Sequence, residues 1–240
     1  MLVSHNYRFI FIKTVKTAGT SVEAFLEPYC CPPEHQVNHW TPTLMSEYGI
    51  VGARWPDGNI DNHGFYNHMS AAEIRDRLPE YDSYLRITCV RNPYDRAISY
   101  FHFSHPTFTP PGGIPLDTAV QLVKAGRLDE LKSCFVHFLR QGLPDEEALL
   151  CINGVCQIQR FIRFESLIPD LEALVNELCL PLPRSVSEQL PTFKLNRQRR
   201  IDIPSIEDYL SPEAYDLIEE QCSWSFNALG YQHRQHHEIV

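Results

Sequence analysis

The sequence contains no long hydrophobic run. Its apolar stretches are short, such as Phe9 to Ile12, whereas a membrane-spanning helix needs about 20 apolar residues. The opening segment MLVSHNYRFIFIK also lacks a basic stretch followed by a long apolar core, as a secretory signal would have. We therefore expect a cytoplasmic protein that has no membrane span.

The sequence also lacks an excess of positive charge. It has 21 Lys and Arg against 30 Asp and Glu, which gives a net charge of −9 with His neutral. A net anion binds nucleic acid and acidic membrane surfaces poorly, so we expect no nucleic-acid partner. Any anionic ligand must then be held by a local group of cations.

The cysteines include no CxxC pair, and the spacing of Cys151 and Cys156 is wrong for a zinc or redox site of that type. Cys89 and Cys179 lie in apolar patterns and are interpreted as small buried residues. Reduced thiols are expected in a cytosolic protein. The histidines of HQVNH and of the tail HRQHH lie in loop-like segments, so no metal site is expected.

The length and composition are those of one globular domain. With 240 residues, 43% of them apolar and 21% charged, we predict a single domain over residues 1–240. Residues 28–67 and 105–115 are rich in Pro and Gly, and we interpret both as loops on the substrate side, the first as a wall or lid. Residues 232–240 are interpreted as a frayed polar tail.

Two segments have the pattern of strand, turn and helix that is typical of α/β folds. The run YRFIFI predicts a strand, which is followed by KTVKTAGTS and by apolar residues at helical spacing. The run YLRITCV predicts a second strand, after which Asn92 caps a helix that starts at Pro93.

Other elements are predicted from local signals. Ser70 and Glu73 form a capping box at the start of a helix, and Ser211 caps another. Asn153-Gly154 predicts a two-residue hairpin. Residues 116–141 are predicted to be helical.

The loop after the first strand is a candidate anion site. Backbone N–H groups at a helix N terminus point outward, and the helix dipole favours negative charge there. The residues at this position are Lys16, Thr17, Ala18, Gly19, Thr20 and Ser21. Lys precedes the Gly, so the loop is not a Walker A motif, which has Lys after its second Gly. The alternative interpretation is a capped helix with a solvated lysine.

Arg91 follows the second strand, at the sheet edge where open α/β sheets bind ligands. Ser99 lies two turns further on, and Arg96 is expected to face the same cleft or solvent. Two phosphate-type sites on one edge indicate a ligand with two separated anionic groups. The alternative for Arg91 is a surface salt bridge.

FIKTVKTAGTSVEAFL together with TCVRNPYDRAISYF resembles the sulfotransferases that use 3′-phosphoadenosine 5′-phosphosulfate (PAPS), in the branch of bacterial and Golgi carbohydrate sulfotransferases. YNHMSAAEIR, FIRFESL and YLSPEAYDLIEEQCSWSFNALGY extend the resemblance along most of the chain. The resemblance implies a P-loop-like, three-layer α/β fold with a central parallel sheet flanked by helices. It also implies PAPS as co-substrate.

The resemblance assigns site residues as well. The loop residues named above would hold the 5′-phosphosulfate, and Arg91 and Ser99 the 3′-phosphate. The basic loop FKLNRQRR would cover the nucleotide through Arg197 and Arg200, although a solvated loop is the alternative and the contacting residue is left open. Ala18 replaces a family glycine, which matters only if that position needs a positive φ.

The chemistry implied is transfer of a sulfuryl group to an acceptor hydroxyl of a glycan, lipid or small metabolite. Lys16 can stabilise the charge on the departing oxygen. His68 is the candidate general base, with His63 and His102 as alternatives. A nucleotide-dependent phosphoryl-transfer enzyme and a non-catalytic nucleotide-binding module remain as alternative functions.

Overall fold

The computed structural model describes residues 1–35, 42–54, 64–103, 112–191 and 204–234. The chain divides into two compact units. The first is Met1–Val90 with Glu147–Phe193, and the second is Arg91–Glu146 with Lys194–Val240. Each unit has its own cluster of buried apolar side chains. The single domain over residues 1–240 stays a prediction.

A six-stranded mixed sheet forms the centre of the first unit within the described residues. In chain order the strands are β1 Leu2–Ser4, β2 Phe9–Ile12, β3 Leu44–Ser46, β4 Gly49–Val51, β5 Leu85–Val90, β6 Cys151–Ile152, β7 Val155–Cys156 and β8 Arg160–Arg163. The order across the sheet is β3-β4-β1-β2-β5-β8, while β6 and β7 form a separate hairpin. The strands β2, β5 and β8 are parallel, and the other pairings are antiparallel.

The helices are α1 Gly19–Leu26, α2 Ala71–Arg77, α3 Pro93–Phe103, α4 Leu116–Lys124, α5 Leu128–Leu139, α6 Glu146–Leu150, α7 Leu167–Glu177, α8 Val186–Gln189, α9 Pro212–Gln221 and α10 Ser223–Leu229. Short 3-10 helices occupy Glu27–Tyr29, Tyr81–Ser83 and Phe164–Ser166. With helices flanking a central sheet, the α/β class is confirmed. No helix in the described part of the chain is long and apolar enough to cross a membrane.

Residues 42–54 differ from the predicted loop over 28–67, because they contain β3 and β4. Strands of three residues are too short to show a periodic pattern. Gly49 lies within β4, and a Cβ there would sit 2.0 Å from the carbonyl oxygen of Val3 on β1. The glycine therefore marks a close approach of two strands. The role of the segment as a lid stays a prediction, and residues 36–41 and 55–63 lie outside the described part.

Several predicted element boundaries are confirmed. Ser70 and Glu73 form the capping box of α2, and Ser211 accepts the N–H of Ala214 at the start of α9. The helix predicted over residues 116–141 is instead two helices, α4 and α5. The break lies at Gly126, whose φ of 71° is left-handed and ends α4.

The burial predicted from the sequence can be compared with the burial in the structure. Every residue of β2 is buried, as expected for a central strand covered on both faces. Cys89 on β5 is buried as predicted, but Cys179 is exposed. The prediction for Cys179 was wrong because this residue adopts a left-handed φ of 51° just after α7, outside the apolar face of that helix.

Candidate active site

The loop between β2 and α1 is anchored by two buried threonine hydroxyls. Thr14 Oγ1 donates to the carbonyl oxygen of Cys89 on β5. A hydroxyl has one hydrogen, so in the 2.7 Å contact between Thr14 Oγ1 and Thr17 Oγ1 the donor is Thr17. The side chain of Thr17 therefore holds the loop in place, and Thr17 is fully buried.

Two residues of this loop have left-handed backbone conformations. Lys16 has a φ of 65° and Ala18, the residue that precedes α1, a φ of 67°. A Cβ on Gly19 would lie 2.9 Å from Cγ of Lys13 and 3.3 Å from the carbonyl oxygen of Thr14, so this position requires glycine. The result is a tight turn at the helix N terminus, where Gly19 and Thr20 are the first two helical residues and Ser21 N–H donates to the carbonyl oxygen of Ala18 at 2.9 Å. Together with Lys16, the N–H groups of Gly19 and Thr20 fit an anionic group.

The substitution Ala18→Gly is expected to stabilise the chain by about 0.5–1 kcal/mol. A left-handed conformation costs an L-residue about 1–2 kcal/mol, and the extra freedom of an unfolded glycine offsets about 0.5–1 kcal/mol of that gain. Urea denaturation measures the difference. The control is Ala24→Gly inside α1, which should lower stability by about 1 kcal/mol. Equal losses in both variants would contradict a strained Ala18.

His68 is held beside this loop by a hydrogen bond. Its Nδ1 lies 2.8 Å from the carbonyl oxygen of Lys13. A carbonyl only accepts, so Nδ1 carries the hydrogen and Nε2 keeps its lone pair. His68 also has a left-handed φ of 58°. The backbone on either side is fixed by the bond from Asn67 N–H to Ala53 O at 2.6 Å and by the capping box of Ser70.

The environment of His68 keeps the ring neutral. Burial and the positive charge of Lys13 lower its pKa from 6.5 to about 4. The unprotonated Nε2 is therefore present at neutral pH, which is the form that a general base needs.

A buried ionic cluster beneath the loop was not identified from the sequence. Glu23 on α1 accepts from Lys13 Nζ at 2.7 Å and also lies 3.4 Å from Arg54 Nε and 3.3 Å from the amino group of Met1. Burial alone would raise the pKa of Glu23, but the amino group of Met1, Lys13 and Arg54 together lower it to about 2. The signal in the sequence is a charged residue within the run VEAFL, whose other residues are apolar.

Arg91 and Ser99 belong to the second unit. Arg91 is buried, and its Nη2 lies 3.7 Å from Asp95 Oδ1. The side chain of Asn92 accepts the N–H of Tyr94 at 3.1 Å, which confirms the predicted cap of α3. Ser99 is half-buried on the same helix.

Arg96 faces neither a cleft nor solvent, contrary to both expectations. It is buried within the second unit, with Nη1 lying 3.3 Å from Glu146 Oε1 and Nη2 donating to Cys222 Sγ at 3.3 Å. Glu146 also accepts from Ser225 Oγ at 2.6 Å. A buried charge has to be paired, and Glu146 provides the partner. We therefore assign Arg96 to the core of this unit.

His102 has the same tautomer as His68, but its Nε2 has a hydrogen-bond partner. Its Nδ1 lies 2.8 Å from the carbonyl oxygen of Ile114, and its Nε2 lies 2.8 Å from the hydroxyl of Tyr209. The carbonyl requires the hydrogen on Nδ1, so Nε2 accepts from the tyrosine. The lone pair of His102 is thus already used, which favours His68 over it as a base.

Part of the predicted site is not covered by the structure. His63, Arg197 and Arg200 lie outside the described residues. Within the ranges that are described, no group of three or more His, Cys, Asp or Glu side chains is placed to hold a metal ion.

A model described as the sulfotransferase family matches residues 1–148. No curated protein and no solved structure matches the chain. The matched segment includes the loop after β2, His68 and the start of α3, and it covers more than half of the sequence.

Proposed function

The chain belongs to the sulfotransferase family, and from that membership we propose that it moves a sulfuryl group from PAPS to an acceptor hydroxyl by in-line transfer. The acceptor is a glycan, a lipid or a small metabolite. The observation that carries the proposal is the ring of His68, which is fixed beside the β2–α1 loop with Nε2 available as a proton acceptor.

The proposed donor site has two parts, one for each anionic group of the nucleotide. In the first, Lys16 and the backbone N–H groups of residues 18–20 bind the 5′-phosphosulfate, and Ser21 lines the same part of the site. In the second, Arg91 and Ser99 bind the 3′-phosphate, and Arg197 and Arg200 cover the nucleotide. The net charge of −9 supports local cations as the means of holding an anion.

Three groups have proposed roles in the reaction. The co-substrate supplies the activated sulfuryl group. His68 takes the proton of the acceptor hydroxyl on Nε2 and holds Nδ1–H on the carbonyl of Lys13. An anion bound nearby favours the protonated ring, so the low pKa of His68 rises when the donor is bound. Lys16 and the N–H groups of Gly19 and Thr20 stabilise the negative charge on the departing oxygen.

Calorimetric titration with adenosine 3′,5′-bisphosphate, ATP and AMP tests the proposal. We expect the bisphosphate to bind most tightly, since only it carries phosphates at both predicted positions. Each of Lys16→Ala and Arg91→Ala should weaken its binding by about 10–150-fold, because a charged hydrogen bond contributes about 1.5–3 kcal/mol. Arg184→Ala, which removes an exposed cation, should leave the affinity unchanged.

The other outcomes distinguish the alternatives. Preference for ATP would favour a phosphoryl-transfer enzyme. Tight bisphosphate binding without transfer to any tested glycan, lipid or metabolite would favour a non-catalytic binding module. Failure of all three nucleotides to bind would refute PAPS as the co-substrate.

A further inference from the structure

The hairpin β6–β7 brings two cysteines face to face. Its turn residues Asn153 and Gly154 both have left-handed φ angles, 51° and 74°, as a two-residue hairpin with a type I′ turn requires. The register pairs Cys151 with Cys156. Residues directly opposite on an antiparallel pair project to the same side of the sheet.

The backbone hydrogen bonds show whether Cys151 and Cys156 are a hydrogen-bonded or a non-hydrogen-bonded cross-strand pair. The N–H of Gln157 donates to the carbonyl oxygen of Leu150 at 3.0 Å, just beyond the cysteines. Hydrogen-bonded and non-hydrogen-bonded pairs alternate along an antiparallel ladder. Since Leu150 and Gln157 are the hydrogen-bonded pair, Cys151 and Cys156 are the non-hydrogen-bonded pair next to it.

A non-hydrogen-bonded pair suits a disulfide. Its Cα atoms are about 4.5 Å apart, and disulfides span Cα separations of about 4.4–6.8 Å. The distance between its Cβ atoms is also shorter than in a hydrogen-bonded pair. The strands have only two residues each, so small adjustments meet little resistance.

The two thiols differ in access to reagents. Cys151 is 9% exposed, whereas Cys156 is half-buried and lies nearer the surface. Cys156 is thus the thiol that meets a dissolved oxidant first, and Cys151 lies across the ladder to complete the bond.

We propose that Cys151 and Cys156 are a modification site at which a low-molecular-weight disulfide such as oxidised glutathione forms a reversible intrachain disulfide. The Cys156 thiolate attacks one sulfur of oxidised glutathione, which forms a mixed disulfide and releases one glutathione. The Cys151 thiolate then attacks the Cys156 sulfur and releases the second glutathione. Two electrons pass from the cysteines to glutathione, and the two cysteine protons end on the released thiols.

The disulfide closes a hairpin that otherwise has few backbone hydrogen bonds. Strand β6 packs against α2, the helix that begins shortly after His68. Because a closed hairpin opens less often, its amide protons exchange more slowly with solvent. The proposal does not depend on the proposed sulfuryl transfer.

Mass spectrometry of the full chain tests the proposal. The chain is incubated with oxidised glutathione, alkylated with N-ethylmaleimide, digested and mapped. We expect a cross-linked Cys151–Cys156 species that has lost two hydrogens and disappears with dithiothreitol. Hydrogen exchange at Ile152 and Val155 should be slower in the oxidised chain than in the reduced chain.

A matched control keeps the number of cysteines constant. The double variant with Val155→Cys and Cys156→Val moves one thiol to the opposite face of the hairpin, because side chains alternate along a strand. This variant should form no link between residues 151 and 155. Alkylation of both native cysteines, a Cys156 adduct that stops at glutathione, or a link to another cysteine would each overturn the proposal.

Discussion

The variant His68→Asn is expected to transfer sulfate about 10²–10⁴-fold more slowly than the unaltered chain, the usual contribution of a general base. It should bind adenosine 3′,5′-bisphosphate equally well, because the ring is proposed to act on the acceptor and not on the nucleotide. Asn tolerates the left-handed φ of 58° better than most residues, so the fold should be kept. The measurement is transfer of labelled sulfate to an acceptor found by screening.

The pH dependence provides a second readout for His68. The base works only when neutral, so the rate measured with both substrates well below saturation is retained above the pKa of the free enzyme and lost as the pH falls through it. Burial and Lys13 lower that pKa to about 4. The acidic limb should therefore lie near pH 4 and not near the ordinary value of 6.5, and it should be absent in His68→Asn.

An exposed histidine provides the control. His137→Asn on α5 should change neither the rate nor its pH dependence. Full activity in His68→Asn would assign the proton transfer to another group. Loss of bisphosphate binding in that variant would instead indicate a structural role for the ring.

The variant Glu23→Gln is expected to lower the free energy of unfolding by about 3–5 kcal/mol, because removing one partner leaves buried charge without compensation. Glu23 is buried, and Lys13 donates to it at 2.7 Å. Gln keeps the volume of the side chain but not its charge. Urea denaturation measures the loss, and an effect on the loop is also expected because the backbone carbonyl of Lys13, the residue that pairs with Glu23, is the hydrogen-bond partner of His68.

The stability that Glu23 contributes depends on pH in a defined direction. Its pKa is lowered from 4.5 to about 2 in the folded chain, so its contribution is fully present above pH 4.5 and is lost as the pH falls toward 2. The Gln variant should lack this acid-dependent loss. Glu172→Gln, at an exposed position of α7, should change stability by about 0.5 kcal/mol or less. A comparably small change in Glu23→Gln would refute the importance of the cluster.

Local sequence signals were sufficient to predict caps and turns, which are formed by residues close together in the chain. The capping box of Ser70 and Glu73, the cap by Asn92 and the turn at Asn153-Gly154 all involve residues within three positions of one another. Their side-chain and backbone geometry makes these conformations favourable without help from the rest of the chain. The strand and the helix on either side of the proposed anion site were also predicted, but the loop between them is anchored by the hydrogen bond from Thr14 to Cys89 on β5.

Contacts between residues far apart in the chain could not be predicted from local signals. The spacing of Cys151 and Cys156 excludes a CxxC motif, yet the register of a hairpin places them opposite each other. Arg96 has the sequence context of a ligand-binding residue, but its guanidinium pairs with Glu146 and donates to Cys222, which is 126 positions away.

The α/β class, several turns and caps, and the motifs that resemble the sulfotransferases could be identified from the order of the residues alone. The tertiary structure decided the tautomer of His68, the left-handed conformation of Ala18 and the charge cluster around Glu23. The reason is physical. Propensities and caps act over a few residues, whereas the pairing of a buried charge depends on which distant side chains the fold brings within hydrogen-bonding distance.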